Sequence, residues 1–255
     1  MRADPPSGTV LCLADARDHS LGWLRASVAD LVVVTVDEIG RSAGFTLHQQ
    51  RPNGDGRPGP SVAGLGLHGA ELDLDAMVSV YCRVPVVGVD HLGFEAVDAS
   101  YAAAEWNALL IGWLQVLGDR VVNRPLPHGL AGRWASLDSW AVLAHDAGLD
   151  AVTSRHDAVA VQRRERDDVI VVGSRVFSPH RLSDDRVDGF RSLARAIGSD
   201  IVGFSATDGW TSGPLLDLAG NPCPMLTDLD AAGRHAVATV LAAPGAGRRN
   251  DRRVA

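Results

Sequence analysis

A chain of 255 residues with 46 % apolar and 22 % charged side chains can bury one large core or two small ones and has the balance of an ordinary globular protein. A formal charge of −7 argues against a nucleic-acid surface, and no apolar run reaches the length of a membrane span. The opening M-R-A-D-P-P lacks the apolar core of a signal peptide, so a cytoplasmic protein is expected.

Thr9 to Leu13 is a short apolar, β-branched run; a helix is predicted over Ser20 to Val28 and a second strand over Leu31 to Val36. The order strand, helix, strand and the unbroken apolar character of L-V-V-V-T-V predict a small α/β unit with buried parallel strands. Phe45 to Gln49 and Leu72 to Met77 are weaker strand candidates, separated by a Gly- and Pro-rich surface loop from Arg51 to Ser61. Val78 to Arg83 is a firmer strand.

The stretch from Glu105 to Leu149 organises the middle of the chain. Trp106, Leu109, Leu110, Trp113, Leu114 and Leu117 fall on one helical stripe that Gly118 ends. Val121 and Val122 form a short buried strand, closed by the turn Asn123-Arg124-Pro125. A second helix is predicted from about Ala131 to Ala147, burying Trp134, Leu137, Trp140, Ala141 and Ala144. The charge run from His156 to Asp168 reads as a solvated loop, and Val169 to Phe177 as a hairpin around Gly173-Ser174. Phe190, Leu193, Ala194 and Ile197 mark an amphipathic helix over Val187 to Ile197. Strands over Ile201 to Ser205 and Pro214 to Leu218 are joined through Thr207-Asp208-Gly209, a last helix covers Ala231 to Ala243, and an arginine-rich tail ends the chain.

The order E, apolar helix, V-V-N-R-P, loop, G-R-W-A-S-L, helix, A-G-L resembles the opening of the ATP-grasp domain of ATP-dependent carboxylate-amine ligases, above all those that mature ribosomal peptides. The C-terminal run I-V-G-F-S-A-T-D-G-W-T-S-G-P-L-L-D-L-A-G-N-P-C-P carries the likeness further. The resemblance implies an α/β fold, a shortened ATP-grasp-like unit over residues 101–243 behind a pre-ATP-grasp-like α/β unit over 1–100, with 244–255 as a disordered tail. It implies activation of a carboxylate as an acyl phosphate, and it places Arg133 where the family has a lysine beside the nucleotide phosphates. Tyr81, Arg83 and Pro85 match the end of the family's N-terminal domain, with Arg83 either a ligand group or an ion-pair partner.

Departures from that pattern bear on the chemistry. Magnesium between ATP phosphates wants hard oxygen ligands. Asp217 stands where the family has a glutamate, but Ala219 replaces its asparagine and Ser205 its upstream aspartate. Sliding the register to use Asn221 puts Ala219 in the carboxylate position instead. The nucleotide lid, roughly 50 to 80 residues at usual element lengths, has only a short polar segment between Thr153 and Val169 in its place. The chain also contains no lysine: all 24 basic residues other than histidine are arginine, which is not equivalent at a phosphate.

The residues therefore point to a degenerate, shortened ATP-grasp-like protein of a biosynthetic or peptide-modification pathway. It is expected to use no ATP and to hold a small carboxylate or a peptide in the old ligase cleft. Arg83, Asn123, Arg124, Arg133 and Asn221 are the candidate substrate-binding residues; equally, Asn123 caps the turn and Arg133 packs its stem. The alternative is an ATP-independent enzyme with Asp217, His128 and Cys223 as acid, base and nucleophile. Residual ligation is the third reading, and the only one that brings in ATP and magnesium. No metal is otherwise expected. The three widely spaced cysteines, Cys12, Cys82 and Cys223, argue against a disulfide framework or a zinc site. A companion biosynthetic enzyme and a homodimer are the partner expectations, with neither nucleic acid nor membrane.

Overall fold

The computed structural model describes residues 8–42, 44–48, 62–67, 70–72, 77–91, 96–127, 129–154 and 167–244. Its elements in chain order begin with β1 (Thr9–Ala14), α1 (Ser20–Ser27), β2 (Leu31–Thr35), α2 (Val36–Ser42), β3 (Gly44–His48), β4 (Val62–Leu67), β5 (Ala70–Leu72) and β6 (Met77–Cys82). The middle comprises α3 (Ala96–Leu117), β7 (Val121–Val122), α4 (Leu137–Asp146) and β8 (Ala151–Val152). The C-terminal third adds β9 (Val169–Val172), β10 (Arg175–Phe177), α5 (Asp184–Ala196), β11 (Ile201–Ser205), β12 (Leu215–Leu216), β13 (Ala219–Asn221) and α6 (Ala231–Ala242).

Two sheets carry the molecule. The first is parallel, in the order β2-β1-β6-β7; the second is antiparallel, in the order β10-β9-β11-β13. A three-stranded sheet β3-β4-β5 and a parallel pair β12-β8 complete the set among the described residues. The strand period of two explains how the layers stack. Leu11 and Leu13 of β1 point to one side, with Trp113, Leu114 and Leu117 of α3. Val10, Cys12 and Ala14 point to the other, with Leu24 of α1 and Val237 and Leu241 of α6. Both faces of the parallel sheet are covered, which is why its strands read as unbroken apolar runs.

The antiparallel sheet divides in the same way. Ile170, Val172 and Ile201 join the core beneath the parallel sheet, and Val169, Val171, Val202 and Phe204 meet Trp140 of α4 and Phe190 and Leu193 of α5. The core beneath the parallel sheet thus takes side chains from both ends of the chain. Ser79 on β6 donates to the carbonyl of Leu241 at 2.5 Å, tying the last helix to the first sheet. Residue 100, where a unit boundary is expected, lies within α3.

Two expectations need correction. The second helix begins at Leu137 rather than near Ala131. Residues Leu126 and Gly129 pair antiparallel, Leu130 donates to the carbonyl of Pro85, and Gly132 has φ +118°, so the chain is not helical until Ser136 caps it by accepting from Ser139 N–H. The strand expected over Pro214 to Leu218 is broken at Asp217, whose φ of +52° turns the chain from β12, paired with β8, into β13, paired with β11. Helix α2 and strand β4 had no clear signal. The Gly- and Pro-rich stretch 51–61, the charged stretch 155–166 and the tail 245–255 lie outside the described residues.

Candidate functional site

In an open α/β sheet, ligands settle beyond the carboxyl ends of the parallel strands. Here that edge carries Asp18 after β1, Arg83 after β6 and Asn123 after β7, and the loop from Asn221 to Leu226 lies across all three. Arg83 is only 2 % exposed. Its guanidinium bonds the Asp18 carboxylate at 2.6 and 3.2 Å, the Tyr81 hydroxyl at 3.0 Å and the carbonyl of Pro224 at 3.0 Å. Burial alone would lower its pKa; Tyr81 and the Asp18 carboxylate more than offset that, and the guanidinium stays charged. Asn123, fully buried at φ +56°, donates to the carbonyls of Ile201 and Pro222 and accepts from the N–H groups of Asp200 and Ile201. Those four bonds use two amide hydrogens and two lone pairs, its whole capacity. Leu226 N–H donates to Ser20 Oγ at 3.1 Å and completes the seal.

Three of the five expected binding residues and the expected nucleophile thus converge, in a sealed joint. Arg83, Asn123, Asn221 and Cys223 meet at one loop, with the Asn221 side chain accepting from Cys223 N–H at 3.0 Å. Cys223 is 3 % exposed between two prolines, so its thiol is closed to solvent. Nearby, burial pushes the Cys12 thiol up to about 12 and the Cys82 thiol higher still, which keeps both protonated and unreactive. Arg124 turns away to pair with Asp119. Arg133 is half-buried and precedes α4 by several residues, so it does not stand at a helix N-terminus. His128, the expected base for Cys223, lies outside the described residues.

The positions where the resemblance places the family's magnesium ligands lie on neighbouring segments. Ser205 and Ala219 are directly opposed in the β11–β13 ladder, and Asp217 lies two residues before Ala219. The donor set is one hydroxyl, one methyl and one carboxylate. Both oxygens of that carboxylate accept from Ser154, N–H at 2.7 Å and Oγ at 2.6 Å, so Asp217 ties the loop after β8 to the kink between β12 and β13. Among the described residues no three His, Cys, Asp or Glu side chains stand in a metal-ligating group. This set does not fit a magnesium-nucleotide, which needs several hard oxygens around the ion.

A cavity of about 700 Å³ runs between the β9–β10 hairpin and the turn into α6. Its lining includes the apolar Ile170, Val176, Phe177 and Leu229 and the polar Asp167, Asp168, Asp228, Asp230 and His180. The His180 ring stacks on Trp210 with centroids 5.2 Å apart and planes within 3°, and its Nε2 stands 3.5 Å from Asp168. Asp167 accepts from Met225 N–H at 2.8 Å and, at longer range, from the Asn221 amide. Burial pushes its carboxyl above the ordinary range, only partly offset by those two donors. Asp167 and His180 were missed in sequence. The D-D pair opening the hairpin and the S-P-H closing it are the signal, two polar clusters that a two-stranded turn must bring side by side.

Comparison with known proteins follows this geometry. No protein-family model matches the chain, and no curated protein matches it either. Solved structures do. The macrocyclase MdnB from Microcystis aeruginosa MRC aligns over 92 % of this chain and 99 % of its own, at 18 % identity and a TM-score of 0.54. A RiPP-associated ATP-grasp ligase from Chryseobacterium gregarium, in complex with ADP and a leader and core peptide, aligns over 92 % and 96 %, at 12 % identity and 0.61. The ATP-grasp ligase PsnB, complexed with a phosphomimetic variant of its minimal precursor, Mg and ADP, aligns over 95 % and 99 %, at 15 % identity and 0.60. The fold of this chain is ATP-grasp-like, as its sequence pattern implies. Among the described residues no helix is long and apolar enough to cross a membrane.

Proposed function

We propose that this chain is a peptide-binding protein of a peptide-modification pathway, built on the ATP-grasp-like fold but working without ATP. One observation carries the reading. Of the positions where the resemblance places magnesium ligands, Ser205 and Ala219 oppose each other in the β11–β13 ladder, and the single carboxylate, Asp217, is already bonded through both oxygens to Ser154. The structural neighbours solved with peptides support a peptide as ligand. The cavity beside β9 and β10 is where such a ligand finds open, mixed polar and apolar walls, since the carboxyl edge of the parallel sheet is sealed. In this reading the chemistry comes from a companion enzyme of the same pathway.

Thermal unfolding with and without magnesium and ATP tests it. A nucleotide at about 100 times its Kd stabilises a native protein by about 2.7 kcal/mol, which for a chain of this size is a rise of roughly 5–10 °C in Tm. No rise is expected at millimolar ATP and magnesium. A magnesium-dependent rise would return the chain to the ligases.

A further inference from the structure

We propose that the cavity beside the β9–β10 hairpin is a subsite for one cationic side chain of a bound peptide, a guanidinium or ammonium group. The inference rests on the peptide-binding reading and names the chemistry of its ligand. At about 700 Å³ the cavity lies within the usual range of ligand sites, roughly 300–1,000 Å³, and admits a long side chain with part of its backbone. One wall is apolar, Ile170 and Phe177, suited to the methylene stem of lysine or arginine.

Charge decides what the head group must be. Asp167, Asp168 and Asp230 line the cavity together, and their partners in the protein are backbone N–H groups, the Asn221 amide and the edge of His180. No arginine of the described chain bonds any of the three. Arg83, whose charge Asp167 feels, is held by Asp18 on the far side of the sealing loop. Asp167 in particular is largely withdrawn from water among neutral donors, so a cation entering the cavity supplies compensation that no described side chain there gives. A carboxylate or phosphate there would meet several like charges instead. His180, its ring stacked on Trp210, is also among the lining residues. In this reading the cavity selects for positive charge.

The probes are fluorescent peptides of one sequence that differ at a single central position, arginine, lysine, glutamine or glutamate, titrated into the full-length protein at low salt. Arginine and lysine peptides are expected to bind about tenfold tighter than the glutamate peptide, as an ion pair in a partly dry site requires. The double variant Asp168→Asn/Asp230→Asn should remove most of that preference. Asparagine keeps the Asp168 acceptor for Ala206 N–H and is as good an N-cap as aspartate at the start of α6, so the fold should be preserved. Should the double variant fail to fold, Asp230→Asn alone must still weaken the arginine peptide against the glutamine one. Equal binding of arginine and glutamate peptides, no binding of any at millimolar concentration, or unchanged preference in the folded variants each overturns the proposal. A magnesium-dependent nucleotide shift would sink the ATP-free reading while leaving the charge preference to stand or fall on the peptides.

Discussion

Two regions a few residues apart treat buried charge in opposite ways. At the carboxyl edge of the parallel sheet Arg83, Asp18 and Asn123 are matched atom for atom, and the loop from Asn221 to Leu226 is pinned over them. On the other side of that loop, Asp167 shares the Asn221 amide and the Met225 N–H but faces a cavity with other carboxylates. The first arrangement spends polar groups on holding two sheets together. The second gathers carboxylates that no described arginine bonds, which is the physical basis for proposing a site there and a joint at the sheet edge.

The joint should break hardest at Asn123. Alanine there strands the N–H groups of Asp200 and Ile201 and the carbonyls of Ile201 and Pro222, each costing about 1–3 kcal/mol when unsatisfied, and forces a Cβ-bearing residue without a polar side chain into left-handed backbone. A loss of about 5 kcal/mol is expected, a fall in Tm of roughly 10–20 °C. Asn123→Gly should recover about 1 kcal/mol of this, because glycine accepts the positive φ while still lacking the amide. Equal Tm values for both variants and the wild type in thermal unfolding would remove Asn123 as the bridge.

Next in size is Arg83→Met, which leaves the Asp18 carboxylate buried without its partner and should cost about 3–4 kcal/mol. Adding Asp18→Asn removes the orphaned charge, so the double variant should be more stable than Arg83→Met alone. Denaturant midpoints for the set of three measure this. If the second substitution only adds to the damage, the pair is not held by mutual compensation.

Most of the joint was legible as pattern and little of it as contact. The apolar runs of β1, β6 and α5 needed no tertiary information, because burial on both faces or one stripe writes itself into the spacing. N-R-P reads as a turn, but nothing local says that the Asn123 amide will bridge residues about eighty positions later; only the docking of β11 beside the end of β7 creates that partner. Asp217 reads in sequence as a strand residue and a catalytic candidate. Its left-handed backbone, and Ser154 waiting for its carboxylate, come from the pairing of β8 with β12, two short strands whose own sequence is weak. Asp167 and Asp168 were read as the end of a charged loop because charge runs are usually solvated, and they are drawn inward by the register of β9 against β11, where Gly203 leaves room for the Asp167 carboxylate.

The smallest expected effect separates the two regions most finely. Burial raises the native pKa of Asp167 above its ordinary 3.8, so between that value and the raised one the native protein holds a proton that the unfolded chain has released. Stability contributed by this group therefore falls as pH rises through the window, and the full cost of the buried charge is present above it. Asp167→Asn carries no such cost. Its Tm relative to wild type should be highest at neutral pH and decline as pH falls into the window, whatever constant offset the altered bond to Asn221 adds. A difference in Tm that does not change with pH would mean that the carboxylate is not strained by its burial. A cation in the cavity restores the charged form, so binding of the arginine peptide within that window should release protons from the wild type and not from Asp167→Asn. Calorimetry in buffers of different ionisation enthalpy reads that release directly, and it ties the uncompensated carboxylate to the ligand that balances it.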